Sequence, residues 1–237
     1  MRLLRLEFKK LSPRLLWWLV IGFPVVPALI TLLAILMLAN GAAGCFGLRS
    51  QAVGLWAVFL YPLLCIILTQ SLINVERQHN LINYARSFRR DWYGWLFRKV
   101  VVVGTVLLGA TALNIVFDSL LFWYEYPILS PGEVLDFSGY LVDAYGSVAV
   151  ACLPLICFHL LISILLPSPG LGYTVGLLGV IGGLLLLSVT QLPINPYTLP
   201  LLVVQQGGLG LELIVPLLLI IGLSVLGAET VLRRTSI

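Results

Sequence analysis

ERQHNLINYARSFRRDWYGWLFRK, residues 76–99, interrupts a chain whose remainder is mostly apolar enough to sit in lipid. It carries Arg77, Arg86, Arg89, Arg90, Arg98 and Lys99 against Glu76 and Asp91. A basic connector of this length between two membrane spans belongs in water, and its charge indicates on which side. Even with this stretch included, the chain is 60% apolar and 10% charged, with a mean hydropathy of +1.05. Soluble domains carry about 25% charged residues, so a soluble fold would lack the charge to cover its surface. The composition reads as an integral membrane protein, and almost none of the 237 residues remain for a soluble catalytic domain.

A helical span needs roughly 20 apolar residues to cross about 30 Å of hydrocarbon. Residues 15–39, 52–75, 100–123, 144–166, 171–191 and 211–232 qualify. The runs are continuous rather than alternating, which favours helices over a barrel. The expectation is one transmembrane domain over residues 1–237, all-α, with six transmembrane helices. With the N-terminus inside, 13 of the 14 Lys and Arg fall in inner segments and Arg49 alone lies outside. The connector after the third span holds Glu125, Glu133, Asp136 and Asp143 and no base. This bias puts both termini in the cytoplasm, and it explains the net charge of +4 without a nucleic-acid partner.

Residues 1–13 place Leu4, Phe8 and Leu11 on one helical face, with Arg2, Arg5, Lys9 and Lys10 flanking it. This predicts an interfacial helix on membrane lipid, ending at the corner made by Pro13. The first apolar run is too long for a cleavable signal, and Pro24 and Pro27 interrupt it without a small-residue cleavage site at the right distance. Pro24 and Pro27 predict a kink in the first span. Thr69, Gln70, Ser71 and Asn74 near the end of the second span fit either interhelical bonding or, for Asn74 in particular, the exit to water. Asn114 and Asp118 share a face of the third span, and His159 lies in the fourth; these are the candidate intramembrane polar residues. Asp118 falls near the outer surface, and a lone His in a span is more often bonded to a neighbour than a ligand.

Pro131-Gly132 is a turn signal, with a short helix expected over residues 133–139. In the fifth span Gly172, Gly176, Gly179 and Gly183 form a stripe suited to close helix packing. Residues 192–210, with Pro193, Pro196 and Pro200 among apolar residues, are too hydrophobic for an ordinary loop and read as an outer re-entrant segment before the last span. Glu229 and Arg233 suggest an ordinary i,i+4 pair. Cys65, Cys152 and Cys157 lie in spans and Cys45 in a loop, which reads as packing rather than a disulfide or metal framework. No GxxxxGK[ST], HExxH or GxSxG is present, so the chain carries no evident ATPase, metal or nucleophile chemistry. No inverted repeat relates the halves.

Taken together, the interfacial helix, the six spans with both ends inside, the basic first inner connector and the proline-rich outer segment resemble the permease subunits of type 2 ABC transporters, the exporter-like family. Members carry an acid leaving the second span, an amphipathic helix, a small and basic patch, then an aromatic and a Lys entering the third. Glu76, residues 81–85, residues 87–90, Trp92 and Lys99 stand at those places, and residues 193–200 match an outer Pro and Tyr pattern. Many members have Leu-Pro before the basic patch; here Arg86 stands where the Pro is expected. The short length and small outer regions look most like lantibiotic-immunity and antibiotic-peptide export permeases.

The resemblance implies a cytoplasmic-membrane half-transporter with no cofactor of its own. ATP and Mg would be held by separate ABC ATPase subunits, and a second permease chain, identical or homologous, would complete the pathway. Asn80, Leu81, Ile82, Tyr84, Arg86, Ser87, Arg89 and Arg90 would form the helix that couples to the ATPase, and the cargo would be hydrophobic or amphipathic. Two rival readings remain. One is an ion-coupled secondary transporter using Asp118, His159 and Glu229; the other is a non-transporting membrane anchor.

Overall fold

The computed structural model describes residues 2–38, 53–79, 92–125, 131–187, 195–208 and 210–234. Among these residues every regular element is helical: α1 (Arg2–Lys10), α2 (Pro13–Trp17), a π-helical turn π1 (Trp18–Gly22), α3 (Phe23–Leu38), a second π turn π2 (Trp56–Leu60), α4 (Tyr61–Gln78), α5 (Trp92–Glu125), α6 (Pro131–Ala151), α7 (Leu153–Leu165), α8 (Pro169–Leu187), α9 (Leu199–Gln205) and α10 (Leu211–Arg234). Five helical runs are long and apolar enough to cross a membrane: Pro13–Leu33, Val53–Gln78, Tyr93–Tyr124, Gly139–Leu165 and Leu211–Thr230. This is the pattern of a multi-pass membrane protein. The apolar part of α8, Pro169–Leu185, is shorter than these five.

The N-terminal helix forms as its amphipathic pattern requires. It ends at Lys10, and the Leu11 N–H closes it on the Phe8 carbonyl. Ser12 Oγ then accepts the Leu15 N–H at 3.2 Å, and Pro13 occupies the first helical position, where its missing N–H costs nothing. The chain therefore turns a corner in two residues. The first span contains π1 just before Pro24, and Pro27 lies inside α3 without ending it. A π turn leaves the helix continuous while shifting its faces.

Around a central α4–α7 pair the other helices are arranged. The apolar runs containing α4 and α7 are 67% and 72% buried, against 22% for the first run and 28% for the last. The long helix α5 packs on α4, with α3 outside it; α10 packs on α7; α8 lies over α4 and α7; and α9 sits against α6 and π2. The core is filled by Trp56, Tyr61, Leu64, Leu68, Leu72, Leu107 and Tyr145, each buried. Large apolar side chains face outward along α3, α8 and α10.

Lipid tails are as apolar as leucine, so helices in a bilayer are held by close packing and hydrogen bonds rather than by expelling water. Here α8 supplies the packing through the expected glycine stripe. A Cβ at Gly172 would overlap the Gln70 amide, and one at Gly176 would meet Ile66 at 2.8 Å and His159 at 2.9 Å. A Cβ at Gly179 would overlap the Tyr197 ring, and one at Gly183 would lie 3.0 Å from Tyr197 Cβ. Gly182, off the stripe, has nothing within 4 Å.

Several expectations change. Helix α5 begins at Trp92, inside the polar stretch, and α4 runs on to Gln78, so both ends of residues 76–99 are helical. The short helix expected over residues 133–139 is the opening of α6, continuous from Pro131 to Ala151. The fourth span is one helical run, Gly139–Leu165, with a single turn residue at Cys152 two positions before Pro154, across which the Cys152 N–H still bonds the Val148 carbonyl and the Ile156 N–H the Cys152 carbonyl. Of residues 192–210, the described part holds the seven-residue α9, followed by Gly207 and Gly208 at φ 73° and 149°, whereas Pro193 lies outside the described residues. Cys65, Cys152 and Cys157 are free and buried, whereas Cys45 lies outside the described residues.

The stripe gives a direct test. Gly179→Ala is expected to destabilise the protein by about 1–3 kcal/mol through overpacking, seen as a lower melting midpoint in detergent. Gly182→Ala should leave the midpoint unchanged.

Candidate functional site: an ionic cluster at the root of the connector

Four charged side chains meet where α1, the end of α4 and the start of α5 converge. The Lys10 ammonium donates to Glu7 Oε1 at 2.8 Å and to Glu76 Oε1 at 2.5 Å. Lys99 Nζ donates to the same Glu76 oxygen at 2.5 Å and to Glu7 Oε2 at 3.1 Å. The four groups thus form a closed ring of alternating charge. The Trp95 indole N–H donates to Glu76 Oε2 at 3.0 Å, and Lys99 Nζ lies 4.6 Å from the centre of a Trp95 ring. Lys99 is 0% and Glu76 1% exposed.

Local sequence explains the convergence. Leu4, Glu7 and Leu11 are spaced three and four apart, so Glu7 sits within the apolar face of α1; that face turns inward, with Leu11 buried and Leu4 and Phe8 against the core. Lys99 lies one turn beyond Trp95 on α5, so both reach Glu76 from one side.

Burial by itself would raise the Glu7 pKa, but the Lys99 and Lys10 ammoniums overcome it and hold the carboxyl below its ordinary 4.5. Burial by itself would lower Lys10; hydrogen bonds and attraction from Glu7 and Glu76 push it above its ordinary 10.5. Two carboxylates and two ammoniums give no net charge. That balance matters, because an unpaired charge buried in low dielectric costs far more than a compensated one.

Next to this ring, Arg77 donates to the Ser163 carbonyl of α7, and Ser71 and Tyr173 hydroxyls lie 3.5 Å apart between α4 and α8. Ser71 therefore bonds between helices, whereas Thr69 donates to its own helix at Cys65 and Ile66. Glu229 of α10 accepts from the Tyr93 hydroxyl at 2.6 Å; the side chain of Arg233, its expected partner, lies outside the described residues.

The intramembrane candidates fall into two pairs. Asp118 is bonded to the Tyr145 hydroxyl of α6. One turn away, the Asn114 amide is fully buried with no hydrogen-bond partner among the described residues. His159 Nε2 lies 2.7 Å from the Tyr197 hydroxyl, with Phe158 edge-on to both rings. Among the described residues no group of three His, Cys, Asp or Glu could hold a metal ion. Asn80, Leu81, Ile82, Tyr84, Arg86, Ser87, Arg89 and Arg90 lie outside the described residues, between the two roots that the ring joins.

Glu7, Lys10, Trp95, Tyr145 and Tyr197 carry these contacts, and they do not stand out as site residues in the sequence. For Glu7 a signal exists: an acid inside an amphipathic stripe must find a cation when that stripe is buried. The chain matches no protein-family model, no curated protein and no solved structure.

Two measurements check the ring. Lys99→Met leaves the buried carboxylates undercompensated and should cost about 3–5 kcal/mol. The double variant Glu76→Gln, Lys99→Met, which removes one charge of each sign, should recover most of that loss in the detergent melting midpoint. The pH dependence follows from the two shifts. The stabilising share of Glu7 is present above pH 4.5 and disappears as pH falls through its lowered folded value; that of Lys10 is present below pH 10.5 and disappears only as pH rises through its raised one. A spin label at Lys9 should stay immobilised from pH 6 to about pH 10 and gain mobility below about pH 4.5.

Proposed function

We propose that the chain is a permease subunit of an ATP-driven ABC exporter of type 2. In this reading it has six spans and cytoplasmic termini, with residues 192–210 re-entering from the outer side, in the cytoplasmic membrane. The ionic ring is the observation that supports it most. A connector that only held the loop inside would need positive charge alone. Here its two roots, Glu76 and Lys99, are clamped to each other and to α1 by buried bonds. A rigid base is what a segment needs if a push on it is to move helices rather than bend a loop.

Residues 80–90 would dock in a groove of a separate ABC ATPase. Leu81, Ile82 and Tyr84 serve as apolar anchors, and Arg86, Arg89 and Arg90 supply charge complementarity beside Ser87. ATP and Mg belong to that subunit. A second permease chain completes the pathway, and the cargo is a hydrophobic or amphipathic peptide, antibiotic or lipid-like molecule. A second reading draws on the buried Asn114 amide beside the Asp118–Tyr145 pair: an ion-coupled transporter, in which Asp118→Asn would abolish transport in liposomes that contain no ATPase.

Purification from native membranes tests the first reading. A Walker-motif subunit should accompany the intact protein and be lost from the Leu81→Asp, Tyr84→Asp variant while the melting midpoint is kept. If no ATPase accompanies the intact protein, the exporter reading is wrong and the anchor reading takes its place.

A further inference from the structure

The outer face of the first span carries a groove of about 430 Å³ lined by Arg14, Trp17, Trp18, Ile21, Gly22 and Val25. These positions recur every three or four residues, so the groove runs along one helical run of 12 residues, about 16 Å. Its walls are almost wholly apolar, and Arg14 lines one end with its carbon stem, its charged head lying at the rim. Gly22 forms part of the floor, with the Trp18 ring in ordinary contact with the site of its missing Cβ, at 3.6 Å. Trp18 and Gly22 stand at the two ends of the π1 turn, one turn apart on the same face of the run.

Three features bear on the occupant. Arg14 is exposed and has no carboxylate partner among the described residues. Trp17 and Trp18 are 67% and 76% exposed, the setting of indoles that anchor at the level of lipid headgroups. Arg5 and Lys9 are exposed on α1, just before the Ser12–Pro13 corner, so the mouth of the groove lies in a positive field. A cation at the mouth, amphipathic rings beside it and an apolar trough leading into the span match one phospholipid molecule from end to end.

We propose that this groove is a binding site for a single anionic phospholipid, with its phosphate on Arg14 and one acyl chain along Trp18, Ile21, Gly22 and Val25. The guanidinium donates paired N–H groups to phosphate oxygens; a zwitterionic lipid offers the same phosphate but brings a cationic choline beside it, which the positive field of Arg14, Arg5 and Lys9 disfavours. The site uses no residue of the connector or of the ionic ring, so it does not depend on the exporter reading.

Native mass spectrometry of the detergent-purified full chain tests it, with phosphatidylglycerol or phosphatidylcholine added. Wild type should retain one phosphatidylglycerol in preference to phosphatidylcholine. Arg14→Gln should weaken retention about tenfold, and Gly22→Leu, which fills the trough, should abolish it. Melting midpoints show that both variants fold, since neither residue touches the core. Equal retention of the two lipids overturns the proposal, as does phosphatidylglycerol retention unchanged in Gly22→Leu. A shift of either variant from dimer to monomer without loss of lipid would make the groove an interface between copies and overturn it too.

Discussion

Putting Lys99 and Glu76 out of reach of water is possible because each of the four charges in the ring has an opposite within hydrogen-bond distance. A carboxylate or an ammonium moved alone into low dielectric carries a penalty of several kcal/mol. The chain meets this constraint with a ring in which one oxygen, Glu76 Oε1, accepts from two lysines at 2.5 Å each. Much of the remaining architecture at that end follows. The α1 helix has to lie against α5 because it brings Glu7 and Lys10; α5 has to begin before the apolar run because Trp95 and Lys99 must be helical to reach Glu76; and α4 has to continue to Gln78 to present Glu76.

At the opposite side of the α4–α7 pair a different kind of contact holds the molecule. There α8 approaches so closely that Gln70, Ile66, His159 and Tyr197 fill the places where side chains would otherwise be. One end of the bundle is joined by charge, where direction and partner are strict, and the other face by fit, where the requirement is the absence of a methyl group. The His159–Tyr197 bond links the two modes, since it fastens the chain just before α9 to the same surface that α8 covers.

What the sequence made legible divides along physical lines. Long apolar runs and the glycine spacing are local patterns, and both reappear as helices and as a packed face. Gly172, Gly176, Gly179 and Gly183 all meet neighbours, whereas Gly182 does not. Helix ends were harder to place. Trp92–Lys99 is polar enough to read as loop, yet it is helical because tertiary partners take up its charges. The fourth span, read as one run, is one run, and it begins five residues earlier than the apolar stretch suggests, at Gly139. The partners of Asp118 and His159 were invisible because Tyr145 and Tyr197 lie 27 and 38 residues away in sequence, and nothing in a periodicity reports a cross-helix pairing. Glu7 is an intermediate case: its place in the apolar stripe was readable, but not the identity of the cation it meets.

The spacing of the ring along the chain has a consequence for biogenesis. Lys10 bonds a residue 66 positions later, and Glu7 one 92 positions later. When α1 leaves the ribosome, neither Glu76 nor Lys99 has been made, and its inward face has nothing to bind. Until the third long helix is inserted, the first helix can only wait on the membrane surface, held there by Arg5, Lys9 and its apolar stripe. Synthesis of Lys99 is the earliest moment at which the N-terminal helix can be seated, so the ring also marks the point at which the first half of the bundle becomes a single assembled unit.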